Sequence, residues 1–90
     1  MARPILIVHS TSEFKKSFRK LNSRIQDLSE KKEKWFRQDA FDPRLRTHKL
    51  KGEVEGYWSY SVNYAYRVLF RFIGNHEVIY YDIGTHDIYK

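Results

Sequence analysis

The sequence has no cysteine. That excludes disulfide bridges and thiolate metal sites, and it suits a reducing cytoplasm. No apolar run approaches the roughly 20 residues that a membrane-spanning helix needs, and the opening "MARPILIVH" is too short and too soon polar for a signal peptide. Repeats, low-complexity tracts and linkers are missing too, so one domain over residues 1–90 with one site is expected. Acidic residues are the minority charge: 11 Asp and Glu stand against 17 Lys and Arg, a formal +6. Such an excess favours polyanionic partners, nucleic acid or an acidic protein, through counterion release. The bland alternative is a basic surface without a partner.

Aromatics are plentiful, with seven Tyr, six Phe and two Trp in 90 residues, enough large apolar area to close a core without staples. The run "PILIVH" from Pro4 to His9 predicts a first strand. Ser10 then stands three residues before Glu13, the spacing of a capping box, so a helix is expected to start there. Phe14, Phe18, Leu21, Ile25 and Leu28 recur at steps of four and three and form one apolar stripe. Asn22 and Ser23 interrupt the stripe with cap-forming residues, which predicts a hairpin of two helices. The second helix would carry Leu28, Trp35 and Phe36 and stop at "FDP", residues 41–43.

From Gly56 the period changes to two. Trp58, Tyr60 and Val62 share one face, as do Tyr66, Val68, Phe70 and Phe72; Arg67, Leu69, Arg71 and Ile73 point the other way. Gly74-Asn75 signals a tight hairpin, and "EVIYYDIG" follows as a third strand. The expected class is α+β: an N-terminal helical hairpin packed on one face of a small twisted antiparallel sheet, with the other face polar.

The densest basic stretch is "RLRTHKLKG", where Arg44, Arg46, Lys49 and Lys51 occur with no acid among residues 44–51. Arg67 and Arg71 add guanidinium groups on the polar face, suited to gripping phosphate with paired hydrogen bonds. Tyr57 and Tyr80 are candidate stacking platforms. Taken singly, each cation also reads as a solvated charge, or as an edge-strand guard in the case of Lys51. Four histidines are the natural proton carriers near neutral pH. His9, at a strand end, and His76, beside the turn, are expected to be structural or surface residues. His48 lies inside the basic stretch, and His86 follows the last strand, on the side of Asp82 if the alternation continues past Gly84. RNA carries its own nucleophile, the 2′-hydroxyl, so a site that cuts it must supply a base, an acid and cations for the phosphate. His48, His86, Arg67 and Lys51 contain those parts. A metal site is disfavoured, because no His pair has the i,i+4 helical spacing and no Cys supports one; no cofactor is expected.

The linked run "FDPRLRTHKLKG", "GYWSYSVNYAYRVLFRF" and "VIYYDIGTHDIY", preceded by the basic helical hairpin, resembles the RelE/ParE superfamily of bacterial type II toxins, in particular the RelE/YafQ-type mRNA interferases. The resemblance spans Ile5 to Tyr89. It implies a RelE-like fold, cleavage of messenger RNA in the ribosomal A site that inhibits translation and growth, and a cognate antitoxin that wraps the toxin in a hetero-oligomer until the antitoxin is degraded. By position it implies His48 as a base and Arg67 as the phosphate-holding arginine. It implies His86 as the acid and Tyr89 as the aromatic that orients the nucleotide or stacks on it. Arg44, Arg46, Lys49, Lys51 and Arg71 would bind RNA. YafQ-like members place a further histidine where this chain has Ser61 and an aspartate where it has Ala65, which leaves fewer proton-handling groups here. Two other readings stand beside this one: a ParE-like toxin that binds DNA gyrase without nuclease chemistry, and a basic binding module that does no catalysis.

Overall fold

The computed structural model describes residues 2–52 and 56–89. Strand β1 (Ile7–Ser10) leads into helices α1 (Ser12–Lys20) and α2 (Ser23–Gln38). A 3₁₀ turn (Pro43–Leu45) follows, then β2 (His48–Lys49), β3 (Trp58–Ser61), β4 (Arg67–Gly74), β5 (Glu77–Gly84) and a closing 3₁₀ turn (His86–Tyr89). Among the described residues the strands form one five-stranded sheet in the order β1-β5-β4-β3-β2. From β2 to β5 the pairing is antiparallel, as the periodicity predicts. Strand β1 instead pairs parallel to β5, with Ile7 opposite Glu77 and Ser10 opposite Tyr80, so the sheet is mixed. The helical hairpin between them returns the chain to the far edge, a connection that antiparallel neighbours do not need.

Two caps set the hairpin. Ser10 is still paired in β1, so α1 starts one residue later than the capping-box spacing predicts, on Thr11. The Thr11 hydroxyl accepts from the Phe14 amide at 3.0 Å and donates to the Tyr81 carbonyl at 2.9 Å, which ties the helix entry to β5. Asn22 caps α2 through a 3.0 Å bond from the Ile25 amide, at the break the sequence predicts. Helix α2 ends at Gln38, with Asp39 as its C-cap, somewhat before "FDP".

The core is an aromatic cluster. Phe36 is fully buried and stacks on Tyr60 with ring centroids 4.5 Å apart; Phe70 meets it edge-on at 5.0 Å and Tyr80 at 6.0 Å. The buried hydroxyls of Tyr60 and Tyr80 hydrogen-bond each other at 2.9 Å, which settles their polar tips inside an apolar core. Burial pushes both phenols far above the usual tyrosine range. Tyr80 is therefore a core residue and not the stacking platform proposed from sequence. Its face is set by an irregularity in the ladder: Leu69 pairs with Asp82 but Phe70 pairs with Tyr80, leaving Tyr81 as the extra residue of a bulge. Tyr81 meets Tyr57 on the opposite face, ring centroids 5.1 Å apart. That face is also less open than its polar pattern suggests, since Ser59 and Leu69 are buried on it.

His9 engages the Glu77 carboxylate and His76 bonds the Pro4 carbonyl, so both serve local structure as expected. Phe36→Ala should lower unfolding free energy by about 3–5 kcal/mol, and Thr11→Ala by about 1 kcal/mol. Urea denaturation followed by far-UV circular dichroism measures both; equal, small losses would remove Phe36 from the centre of the core.

Candidate active site

The site grows from the turn between β3 and β4. The Asn63 side-chain oxygen accepts from the amides of Ala65 at 2.9 Å and Tyr66 at 2.7 Å, while the amides of Val62 and Asn63 donate to the Tyr66 carbonyl. These bonds fold the turn tightly and lift Tyr64 to its apex, 95% exposed. The next residue after the turn's base is Arg67, which opens β4 between Ser61 of β3 and Gly84 of β5. Its Nη2 donates to the Tyr64 carbonyl at 3.4 Å. Its Nε is buried and, among the described residues, has no hydrogen-bond partner. An unsatisfied buried donor costs about 1–3 kcal/mol.

A second wall comes from the segment after α2. Asp42 caps the Pro43–Leu45 turn by accepting from the Arg44 amide at 2.9 Å, and its carboxylate grips the Arg44 guanidinium at 2.7 Å. The hydrogen bonds from Arg44 hold the Asp42 carboxyl down at about 2. Arg44 lies 3.6 Å over the Trp35 ring, and the Lys32 ammonium lies 4.1 Å from the same ring, so one aromatic ring supports two cations. Partial burial, then repulsion from Lys31 and Arg44, lowers the Lys32 pKa below the usual lysine value, with Asp42 opposing. Arg46 ends the turn in the left-handed region at φ 52°. Its carbonyl faces His48 Nδ1 at 2.9 Å. A carbonyl only accepts, so Nδ1 carries the proton and the neutral ring keeps its lone pair on Nε2.

These walls enclose a cleft of about 440 Å³ lined by Lys32, Arg44, Arg46, His48, Ser61, Val62, Asn63, Tyr64 and Arg67. Four cations and one imidazole line it, and among the described residues no carboxylate does, which concentrates positive potential there.

Of the residues singled out from sequence, His48, Arg67, Arg44 and Arg46 meet in this cleft. Lys49 and Lys51 line a separate groove with Leu50 and Gly52. His48 and Lys49 are successive residues of β2, whose side chains point to opposite faces, so proximity in sequence does not carry Lys49 into the cleft. Arg71 packs over the Tyr57 ring at 5.3 Å instead of joining Arg67. His86 leaves the sheet just beyond Gly84, hence at the Arg67 end, and is exposed in the closing 3₁₀ turn. A Cβ at Gly84 would come within 2.7 Å of Ile88 Cγ2, so a larger residue there would force Ile88 to shift. Asp82 turns its carboxylate to the Ile83 amide. The Tyr89 backbone belongs to the turn, and its side chain lies outside the described residues. Sequence reasoning missed Lys32, Asn63 and Tyr64. Lys32 is four residues before Phe36 on α2, a spacing that puts both on one side of the helix; nothing in the sequence says that this side adjoins β3.

The chain has the RelE/ParE-like fold of bacterial type II toxins: two helices on a five-stranded mixed sheet. Among solved structures it is similar to a YoeB/ParE toxin from Agrobacterium tumefaciens, with TM-score 0.74, 15% identity, and coverage of 90% of this chain and 99% of that one. It is also similar to the RelBE2 toxin–antitoxin complex from Mycobacterium tuberculosis, with TM-score 0.74, 21% identity and coverage of 92% and 93%. A third is YafQ from E. coli, with TM-score 0.71, 14% identity and coverage of 91% and 94%. No protein-family model and no curated protein matches the sequence. Among the described residues no helix is long and apolar enough to cross a membrane.

The Asp42–Arg44 contact carries a pH dependence. A depressed folded-state carboxyl stabilises the fold fully above the unfolded value, near ~3.9, and that stabilisation is lost as the pH falls through about 2. Carbon-detected NMR titration should show the Asp42 carboxyl protonating near pH 2, and Arg44→Ala should return it toward the ordinary aspartate range. An ordinary value in both proteins would remove the contact.

Proposed function

We propose that this protein is the toxin of a type II toxin–antitoxin pair and acts as an endoribonuclease on messenger RNA in the ribosomal A site, arresting translation and growth. The observation that carries this reading is the cleft holding the His48 imidazole, with Nε2 available as a base, together with Arg67 and three further cations. His48 Nε2 takes the proton of a 2′-hydroxyl. The 2′-oxygen then attacks the adjacent phosphorus, forming the O2′–P bond as the P–O5′ bond breaks. Arg67, through its guanidinium, binds the phosphate oxygens as charge builds on them. Arg44, Arg46 and Lys32 add electrostatic stabilisation from the opposite wall. His86, at the Arg67 end of the sheet, is the acid for the departing 5′-oxygen, and Tyr89 orients the nucleotide. The products are a 2′,3′-cyclic phosphate and a 5′-hydroxyl. The basic cleft also suits an antitoxin with an acidic segment, so the same charges serve inhibition in a hetero-oligomeric complex. Lys49, Lys51 and Arg71, outside the cleft, fit contacts to the RNA backbone farther along the strand.

The test is to induce the protein in growing bacteria and map RNA 5′ ends on translated and untranslated messages. Cuts confined to translated reading frames are expected. In vitro, on ribosomes, His48→Ala should slow cleavage by about 10²–10⁴-fold and Arg67→Ala by about 10²–10³-fold, both with native circular dichroism. Intact messages alongside growth arrest would overturn the nuclease and leave the gyrase-binding reading; full activity of His86→Ala would remove it as the acid.

A further inference from the structure

The Tyr64 ring is the most exposed large apolar surface of the described protein, at 95%, yet it stands on one of its best-braced turns. Among the described residues no ring or cation packs on it. An exposed aromatic held on a rigid backbone at the rim of a cationic cleft gains nothing for the fold. We propose that Tyr64 is a stacking platform for the RNA base next to the scissile phosphate, and that it helps decide which phosphodiester enters the cleft. This rests on the reading of the cleft as an RNA site.

The geometry couples the two halves of a nucleotide. The Tyr64 carbonyl accepts from Arg67 Nη2 at 3.4 Å, so the ring and the phosphate-binding guanidinium are tied through one residue. Asn63 fixes the turn from inside, through Ala65 and Tyr66, which holds the Tyr64 backbone in place beside Arg67. A phosphate on Arg67 thus brings its neighbouring base to the rim where Tyr64 stands. Every nucleobase offers a π-face, so the platform tolerates any base while favouring the purines, which present more area. Stacking is present in both the bound and the transition state, so it acts on substrate affinity and leaves the chemical step unchanged.

The experiment uses ribosomes carrying a short synthetic message with an open A site, with the codon intact or with one nucleotide made abasic. Tyr64→Ala should raise KM about tenfold or more with kcat within about twofold, and Tyr64→Trp should restore KM. One abasic position should cost the wild type a similar factor, and Tyr64→Ala should lose nothing further on that message. A wild-type KM for Tyr64→Ala, or additive losses at every abasic position, overturns the platform while leaving the nuclease intact. Failure of the wild type to cut any message on ribosomes overturns the nuclease reading, and the platform with it.

Discussion

The stack of Phe36 on Tyr60 is the contact on which the placement of the site depends. Phe36 belongs to α2 and Tyr60 to β3, and their rings lie 4.5 Å apart with no access to solvent worth the name. One turn before Phe36 on α2 stands Lys32, and one residue after Tyr60 stands Ser61; both line the cleft. Docking the rings therefore docks the cation on the strand end. The same cluster sets the polar interior, because Tyr60 reaches the Tyr80 hydroxyl and so ties β3 to β5 across β4.

Bringing Lys32, Arg44, Arg46 and Arg67 to one cleft works against the fold, since like charges repel more strongly as water is withdrawn from them. The structure relieves part of this locally. The Trp35 ring supports Arg44 and Lys32, and Asp42 pairs with Arg44. Arg67 receives no such help, and its buried Nε is left without a partner among the described residues. A buried donor left without a partner departs from the rule that buried polar groups are satisfied, and such departures commonly mark functional sites.

Tight turns hold several of these residues. Asn63 braces the β3–β4 turn below Tyr64, the left-handed Arg46 turns its carbonyl to His48, and Gly84 lets the last turn close against Ile88. Each is a short-range device that sets one side chain in place, so the cleft is made of positions that the scaffold does not leave to chance.

Much of this was legible in the residues. The 3.6 period, the break at Asn22, the change to period two and the hairpin after Gly74 are local signals, and local signals survive into the fold because each rests on backbone geometry nearby. His48, Arg44 and Arg46 are close in sequence and remain close in space, and Arg67 follows from alternation along a single strand. The tertiary structure decided the rest. The bulge at Tyr81 turned Tyr80 inward and Tyr81 outward, a reversal of faces that depends on which residues of β4 lie opposite. The parallel β1–β5 pair carried Ser10 into the sheet and moved the cap to Thr11. Lys49 and Lys51, adjacent to His48 along the chain, left the cleft, and Lys32, sixteen residues before His48, entered it. Sequence determines which segments form helices and strands, because propensity and period act over a few residues. Which cations share one cleft is settled by contacts between elements far apart in the chain, and only packing brings those together.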